Sequence, residues 1–234
     1  MTRRRWIADE VSHNTAALVG NHARHLAQVL RAKLGQEFEI SVGGELRTGR
    51  ISRVLPDRVE FELGNAVVEE PCRSITIALA IFKFDRMEWA IEKSTELGVM
   101  QIVPVIAART EKHLAAAAGK RVERWRRISR QASEQSRRMS VPVVADPISF
   151  KQLPGLQAQV RIVLSEVEEH MTLKNAVPAG SQSLALAFGP EGGWKEQELE
   201  SLHEAGWTAA SLGRTILRAE TAVVAAVAIA SSIL

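Results

Sequence analysis

The sequence predicts an α/β protein in two parts, a small antiparallel β-barrel followed by a mostly parallel α/β domain. Three observations carry this expectation. The first 70 or so residues hold short stretches in which apolar and polar residues alternate, separated by turn-forming glycine and proline. Such a pattern suits short strands wetted on one face. From Ser74 onward, nearly continuous apolar runs alternate with segments of helical spacing, the pattern of strands covered on both faces by helices. The change of pattern falls around Pro71, so the expected parts are 1–71 and 72–234.

Taken in order, Asn21 is the expected cap of a first helix that carries Leu26, Val29 and Leu30 on one face and stops at Gly35. Phe38, Ile40 and Val42 then alternate with polar residues, Gly43-Gly44 turns the chain, and a second alternating stretch runs to Val54. Pro56-Asp57 supplies the next turn before Val59, Phe61 and Leu63. In the second part, Ser74 to Phe82 reads as a buried strand. Asp85 and Glu88 have the spacing of a helix-capping pattern ahead of Met87, Ala90, Ile91 and Leu97, and Gly98 ends that helix. A strand is expected over Ile102 to Ile106, then a long helix around Val122, Trp125, Ile128 and Ala132. Further strands fit Val160 to Leu164, Leu184 to Phe188 and Ala209 to Leu212, with helices over Glu196 to Ala205 and Thr221 to Ile233. The last helix has little polar surface, as in a helix buried all round.

Composition narrows the function classes. With 46% hydrophobic and 24% charged residues, the chain of 234 residues has the make-up of a folded globular protein. Cys72 is the single cysteine, which excludes a disulfide framework and a thiolate zinc site. The basic start, Arg3-Arg4-Arg5-Trp6, leads into Asp9 and Glu10 instead of an apolar signal core, and the apolar run from Ala222 to Leu234 is shorter than a bilayer span. A cytoplasmic setting is expected. His22 and His25 lie three apart without a nearby carboxylate at ligand spacing, and no metal site is expected. The formal charge is only +3, yet eight Lys or Arg residues between Lys120 and Arg138 face only Glu123 and Glu134. Such a stripe suits a polyanion; a solvated helix face is the plain alternative.

Two glycine-containing loops carry the chemistry. Leu184-Ala185-Leu186-Ala187-Phe188-Gly189-Pro190-Glu191-Gly192-Gly193 reads as a strand opening into a turn ahead of a helix. Ligands of open α/β sheets bind at such strand ends, where glycine lets the backbone come close. No Lys-Ser/Thr follows at P-loop spacing and no Gly-x-Gly-x-x-Gly occurs in the chain, so this is neither a nucleotide P-loop nor a dinucleotide fingerprint. Glu191 would also repel a polyphosphate. A ligand without phosphates fits better, and S-adenosylmethionine, a sulfonium on adenosine, is one. The second loop, Leu212-Gly213-Arg214-Thr215-Ile216-Leu217-Arg218, likewise joins a strand to a helix. Its Ile216 and Leu217 suit an adenine face, while Arg218 and Glu220 face solvent or substrate, or form a surface pair beside a helix start.

At these loops the chain resembles the RsmE-type 16S ribosomal RNA uracil-N3 methyltransferases of the SPOUT superfamily. Four further blocks agree: Arg5-Trp6; His25-Leu26 with Val29-Leu30-Arg31 and Gly35; Lys83, Arg86-Met87-Glu88 and Glu92 to Val99; and Arg124-Trp125 with Ile128, Ala132, Glu134-Gln135-Ser136, Arg138 and Val141-Pro142. The blocks occur in order over nearly the whole chain. Two positions depart from the family pattern: Thr215 stands where the family has Arg, and Arg137 where it has Gly.

The resemblance implies an N-terminal PUA-like barrel that binds RNA, a SPOUT domain with a trefoil knot, and a homodimer acting on small-subunit ribosomal RNA. It places S-adenosylmethionine against Leu164, Gly189, Pro190, Glu191, Gly192, Gly193, Leu212, Gly213, Ile216, Leu217 and Arg218. It implies RNA contacts at Arg5, Arg31, Lys93, Arg124, Gln135 and Arg138, with Arg127, Arg130 and Arg137 adding charge. For the reaction, N3 of uracil must lose a proton; Glu220 is the candidate base and Arg218 the candidate stabiliser of the anion. A SPOUT methyltransferase with another RNA target, or a non-catalytic RNA-binding or ribosome-assembly protein, remains an alternative.

Overall fold

A computed structural model describes residues 5–43, 45–67, 74–136, 138 and 140–234. The chain divides into two compact units, one of Met1–Pro71 with Ser133–Ser140, the other of Cys72–Ala132 with Val141–Leu234. The expected boundary around Pro71, Gly44 of the first expected turn, Cys72 and Arg137 lie outside the described residues.

The first unit holds a six-stranded sheet of β1 (Arg5–Ile7), β2 (Glu10–Ser12), β3 (Thr15–Val19), β4 (Glu37–Val42), β5 (Glu45–Val54) and β6 (Arg58–Ala66). Their order is β1-β4-β5-β6-β3-β2. Alternation works as read: Phe38, Ile40, Ile51, Val59, Phe61 and Leu63 all point into one buried cluster. The sheet is not wholly antiparallel, because β1 runs parallel to β4. The helix between β3 and β4 also differs from expectation. It is a short α1 (Gly20–Arg24) running into a π-helical turn, His25–Val29, and its N-cap is Val19, not Asn21. It ends before Gly35, since Arg31 already turns into the left-handed region at φ 51°. His22 lies 3.1 Å from an Asp9 carboxylate oxygen and 2.8 Å from one of Glu134, so its ring is held between two carboxylates within this unit. Among the described residues no group of three or more His, Cys, Asp or Glu is placed to hold a metal.

The second unit is a parallel sheet of seven strands: β7 (Ser74–Ala80), β8 (Gln101–Ile106), β9 (Val143–Val144), β10 (Ile148–Ser149), β11 (Val160–Leu164), β12 (Ser183–Phe188) and β13 (Thr208–Ala210). The order is β10-β8-β7-β12-β11-β13, with β9 beside β8. Strand alternation sorts side chains by size. Ile75, Ile77 and Leu79 of β7 and Leu184, Leu186 and Phe188 of β12 fill one face. Ala78, Ala80, Ala185 and Ala187 line the other, where the bulk comes from Trp194, Leu202 and Trp207. The α-helices of this part of the chain, among the described residues, are α2 (Phe84–Glu96), α3 (Lys112–Gln135), α4 (Leu173–Ala176), α5 (Glu196–Glu204) and α6 (Ala219–Ile233).

Two local expectations fail in α2 and α6. Helix α2 starts at Lys83 as N-cap without a side-chain cap; Glu88 turns instead to Arg124, so no Asp85/Glu88 box forms. Gly98 does stop it, in the left-handed conformation at φ 98°. Helix α6 is not buried all round. Val223, Ala226, Val227 and Ala230 are buried, while Thr221, Ala228, Ser231 and Ser232 are exposed. Among the described residues no helix is long and apolar enough to cross a membrane.

Candidate active site

Three strands of the second unit end level with one another. Leu164, the last residue of β11, pairs with Phe188 at the end of β12 and with Ala210 at the end of β13. The segments leaving these three ends line one cavity of about 410 Å3. A parallel sheet leaves its ligand crevice at the carboxyl ends of its strands, and here three adjacent ends contribute.

The first wall is the glycine loop after β12. Trp194 turns back beneath it, donating its indole N–H to the Leu164 carbonyl at 3.2 Å. A Cβ at Gly189 would lie 3.2 Å from that indole nitrogen and 3.3 Å from the Trp194 amide, so any larger residue would have to push Trp194 aside by a few tenths of an ångström. Gly193 has φ 70°, and a Cβ there would run into the Glu166 carboxylate. The loop is tied from outside as well: Arg109 donates to the carbonyls of Gly192 at 2.6 Å and Trp194 at 3.1 Å. Beneath it, buried Glu198 accepts the Ala108 and Lys195 amides at 2.8 and 2.9 Å.

The second wall is Ala210 to Ala219, and the third is Leu164-Ser165-Glu166. Ile216 and Leu217 border the cavity; Ile216 is 85% exposed. Arg214 and Arg218 are exposed and border it too, and no hydrogen bond or ion pair engages either guanidinium among the described residues. After Glu166, the Glu168 carboxylate accepts the amides of His170 and Met171 at 2.8 Å each. The Met171 bond, then the His170 bond, hold its carboxyl below the usual range.

Of the residues assigned from sequence, Leu164, Gly189, Pro190, Glu191, Gly193, Leu212, Gly213, Ile216, Leu217 and Arg218 border the cavity. Gly192 does not; its carbonyl is taken by Arg109. Glu220 also lies outside the cavity. It borders a second hollow with Asp85, Arg86, Trp89 and Thr221. It forms no pair with Arg218; its Oε1 lies 3.7 Å from Arg86, and its Oε2 is buried without a hydrogen-bond partner among the described residues. Arg86 borders both spaces and also donates to Glu191 at 3.1 Å. Sequence reasoning passed over Arg86, Arg109 and Trp194. Arg86 stood inside a quoted block, but nothing in its spacing points to carboxylates 105 and 134 residues away.

The residues assigned to RNA are more heavily committed than their charge suggests. Arg124 grips Glu88 through two bonds of 2.6 and 2.8 Å, and Arg121 lies 4.7 Å over the Phe84 ring. Arg126 pairs with Glu123 and Asp146. Lys93 sits between Glu92 and Glu96, whose hydrogen bonds, Glu92 first, raise its pKa. Within the stripe, Arg127 is exposed and unpaired among the described residues. In the other unit Arg5 pairs with Glu39 at 3.2 Å, Arg31 and Gln135 are exposed and Arg138 is engaged, as is Arg130 in the second unit. Trp125, next to Arg124, is fully buried.

Residues 68–231 match the RNA methyltransferase domain family. The ribosomal RNA small subunit methyltransferase E of Bacillus subtilis is 35% identical over 222 residues, covering 89% of this chain and 86% of that protein. The chain belongs to the ribosomal RNA small subunit methyltransferase E family. The Mycobacterium bovis member is 33% identical over 224 residues, covering 88% and 82% of the two chains. In structure, the family member of Neisseria gonorrhoeae, crystallised bound to S-adenosyl methionine, superposes with a TM-score of 0.83. The match spans 98% of this chain and 97% of that one at 32% identity.

Proposed function

We propose that this chain transfers a methyl group from S-adenosylmethionine to N3 of a uracil in 16S ribosomal RNA, forming 3-methyluridine. The observation that carries the proposal is the cavity at three level strand ends in a chain whose relatives are ribosomal RNA methyltransferases. Its chemistry fits the cofactor. Backbone can approach closely at Gly189, the side chains of Leu164, Phe188, Ile216 and Leu217 are apolar, and Glu166 and Glu191 suit a cationic ligand better than a phosphate.

When bound, S-adenosylmethionine supplies an electrophilic methyl group on a sulfonium. The chain's main task is then alignment, which can lower a barrier by about 7–11 kcal/mol. The glycine loop, Leu212-Gly213, Ile216-Leu217 and the Leu164 strand end hold the cofactor. Arg218, free of ion pairs among the described residues and at the edge of the cavity, stabilises the anion that forms when N3 gives up its proton. Glu220, beside the cavity, accepts that proton once its unpartnered oxygen turns out of its buried position. Thr215 carries no charge, so the exposed guanidinium of Arg214 takes the electrostatic part of the family's arginine.

In this reading residues 1–71 form a PUA-like RNA-binding barrel and 72–234 a knotted SPOUT domain. The order of strands supports the knot: β12 inserts between β7 and β11, strands the chain has already laid down. The protein works as a cytoplasmic homodimer, with the exposed small residues of α6 and half-exposed Trp89 of α2 as the surfaces offered to a second copy. Arg5, Arg31, Lys93, Arg124, Gln135 and Arg138 meet the RNA. Incubation of the purified protein and S-adenosylmethionine with unmodified 30S subunits and with naked 16S RNA, followed by nucleoside mass spectrometry, tests the reaction. 3-Methyluridine in either substrate is the expected product; a different methylated nucleoside, or none with both, overturns the assignment.

A further inference from the structure

Two of the three walls of the cofactor cavity are separate loops, and one guanidinium reaches the first of them and the helix start just beyond the second. Arg86, in the first turn of α2, donates from Nη1 to Oε1 of Glu191 in the glycine loop at 3.1 Å. Its Nε lies 3.7 Å from Oε1 of Glu220, two residues past the end of the second loop. Helix α2 provides a firm base for this reach. Met87, Ala90 and Ile91 beside Arg86 are fully buried, in the same cluster as Val223, Ala226 and Val227 of α6. The Arg86 and Glu191 side chains are about a third exposed, whereas Glu220 is only 14% exposed.

We infer that Arg86 is a positioning residue, a clamp that joins the glycine loop to the start of α6 and so sets the width of the cofactor cavity. The inference rests on the cofactor reading proposed above. A planar guanidinium presents several donors in a fixed fork and can serve two carboxylates at once, whereas a lysine ammonium is a point charge on a flexible stem. Opposing ties already hold other parts of the glycine loop: Arg109 grips its far end through the Gly192 carbonyl, and the Gly193 amide closes onto the Pro190 carbonyl at 2.8 Å. Glu191 lies between these ties, and Arg86 is its one ion-pair partner among the described residues. Because Arg86 is occupied by carboxylates, it is not available to stabilise a uracil anion, and that task stays with Arg218.

The test compares wild type, Arg86→Lys, Arg86→Met, Glu191→Gln and the Arg86→Met/Glu191→Gln double variant in the full-length protein. Calorimetry measures binding of S-adenosylmethionine and of its uncharged thioether product, S-adenosylhomocysteine. Hydrogen exchange of the Gly192 to Trp194 amides is followed without ligand. A clamp predicts about tenfold weaker binding for Arg86→Met, an intermediate loss for Arg86→Lys, and equal losses for the two ligands. It also predicts faster loop exchange in the ligand-free variants, and a double variant no worse than the weaker single one. A larger loss for the sulfonium than for the thioether in the Arg86 single variants would mean that this charge acts on the ligand directly, and would overturn the clamp; Glu191→Gln also removes a carboxylate facing the cation, so its losses are read with the thioether alone. So would additive losses, or unchanged binding and loop exchange. Wild type failing to bind either ligand would instead refute the cofactor reading; the ligand-free exchange data would still report on the clamp.

Discussion

At Gly193 the backbone and its neighbours set two separate demands. Its φ of 70° disfavours any Cβ, and a Cβ would also push aside the end of the exposed Glu166 side chain, a smaller cost. Gly213, at φ 122°, meets only the first demand, since nothing lies within 4 Å of its Cβ position. Alanine at Gly193 should therefore weaken S-adenosylmethionine binding tenfold or more, and alanine at Gly213 should weaken it less; titration calorimetry on both variants checks the order. Arg218→Ala should leave cofactor binding near wild type while lowering kcat about 100- to 1000-fold, the usual cost of one preorganised stabiliser of developing negative charge. Single-turnover kinetics at saturating cofactor measures it. Glu168 gives a pH dependence with a definite sign. Its folded pKa lies below the ordinary value near 4.5, so its contribution to stability is complete above that value and is lost as pH falls through the lower folded one. Glu168→Gln should flatten that acid limb in pH-dependent urea unfolding and change nothing near neutrality beyond a constant offset.

The elements differ in how far their neighbours, and not their own residues, decide them. Strands β11 and β12 were legible because their carboxyl-terminal parts are buried on both faces, and Ile162–Leu164 and Leu184–Phe188 are unbroken apolar runs that end where the strands do. The cofactor loops were legible for the same reason: they begin where those runs stop and glycine appears. Short elements such as β9, β10 and α4 were not, because two to four residues carry no period and their place depends on bonds to distant backbone. Caps failed similarly. Glu88 has the spacing of a capping partner, but Arg124, on a helix 36 residues away, offers two charge-assisted bonds instead. The Arg86 clamp and the Arg109 tie join residues more than 80 positions apart, a distance no local pattern records. Packing of α2 in the core of the second unit yields a simple expectation. Ile91 is fully buried there, so Ile91→Ala should lower the unfolding free energy by about 2–5 kcal/mol in denaturant titrations.

For the whole molecule, the small net charge of +3 conceals an uneven distribution that ion pairing then moderates. If the basic stripe meets phosphates, a free guanidinium releases a counterion that a paired one has already forgone. Arg127→Gln should thus reduce the log–log salt slope of RNA binding by about 1, and Arg124→Gln, whose partner is Glu88, by less. Equal slopes for the two variants would remove Arg127 from the RNA contact. The central claim, methylation of uracil N3 in 16S ribosomal RNA, is reached most directly in the cell. Nucleoside mass spectrometry of 16S RNA from a strain lacking this gene should find 3-methyluridine gone, restored by the wild-type gene and not by Arg218→Ala. An undiminished 3-methyluridine level in the deletion strain would contradict the account.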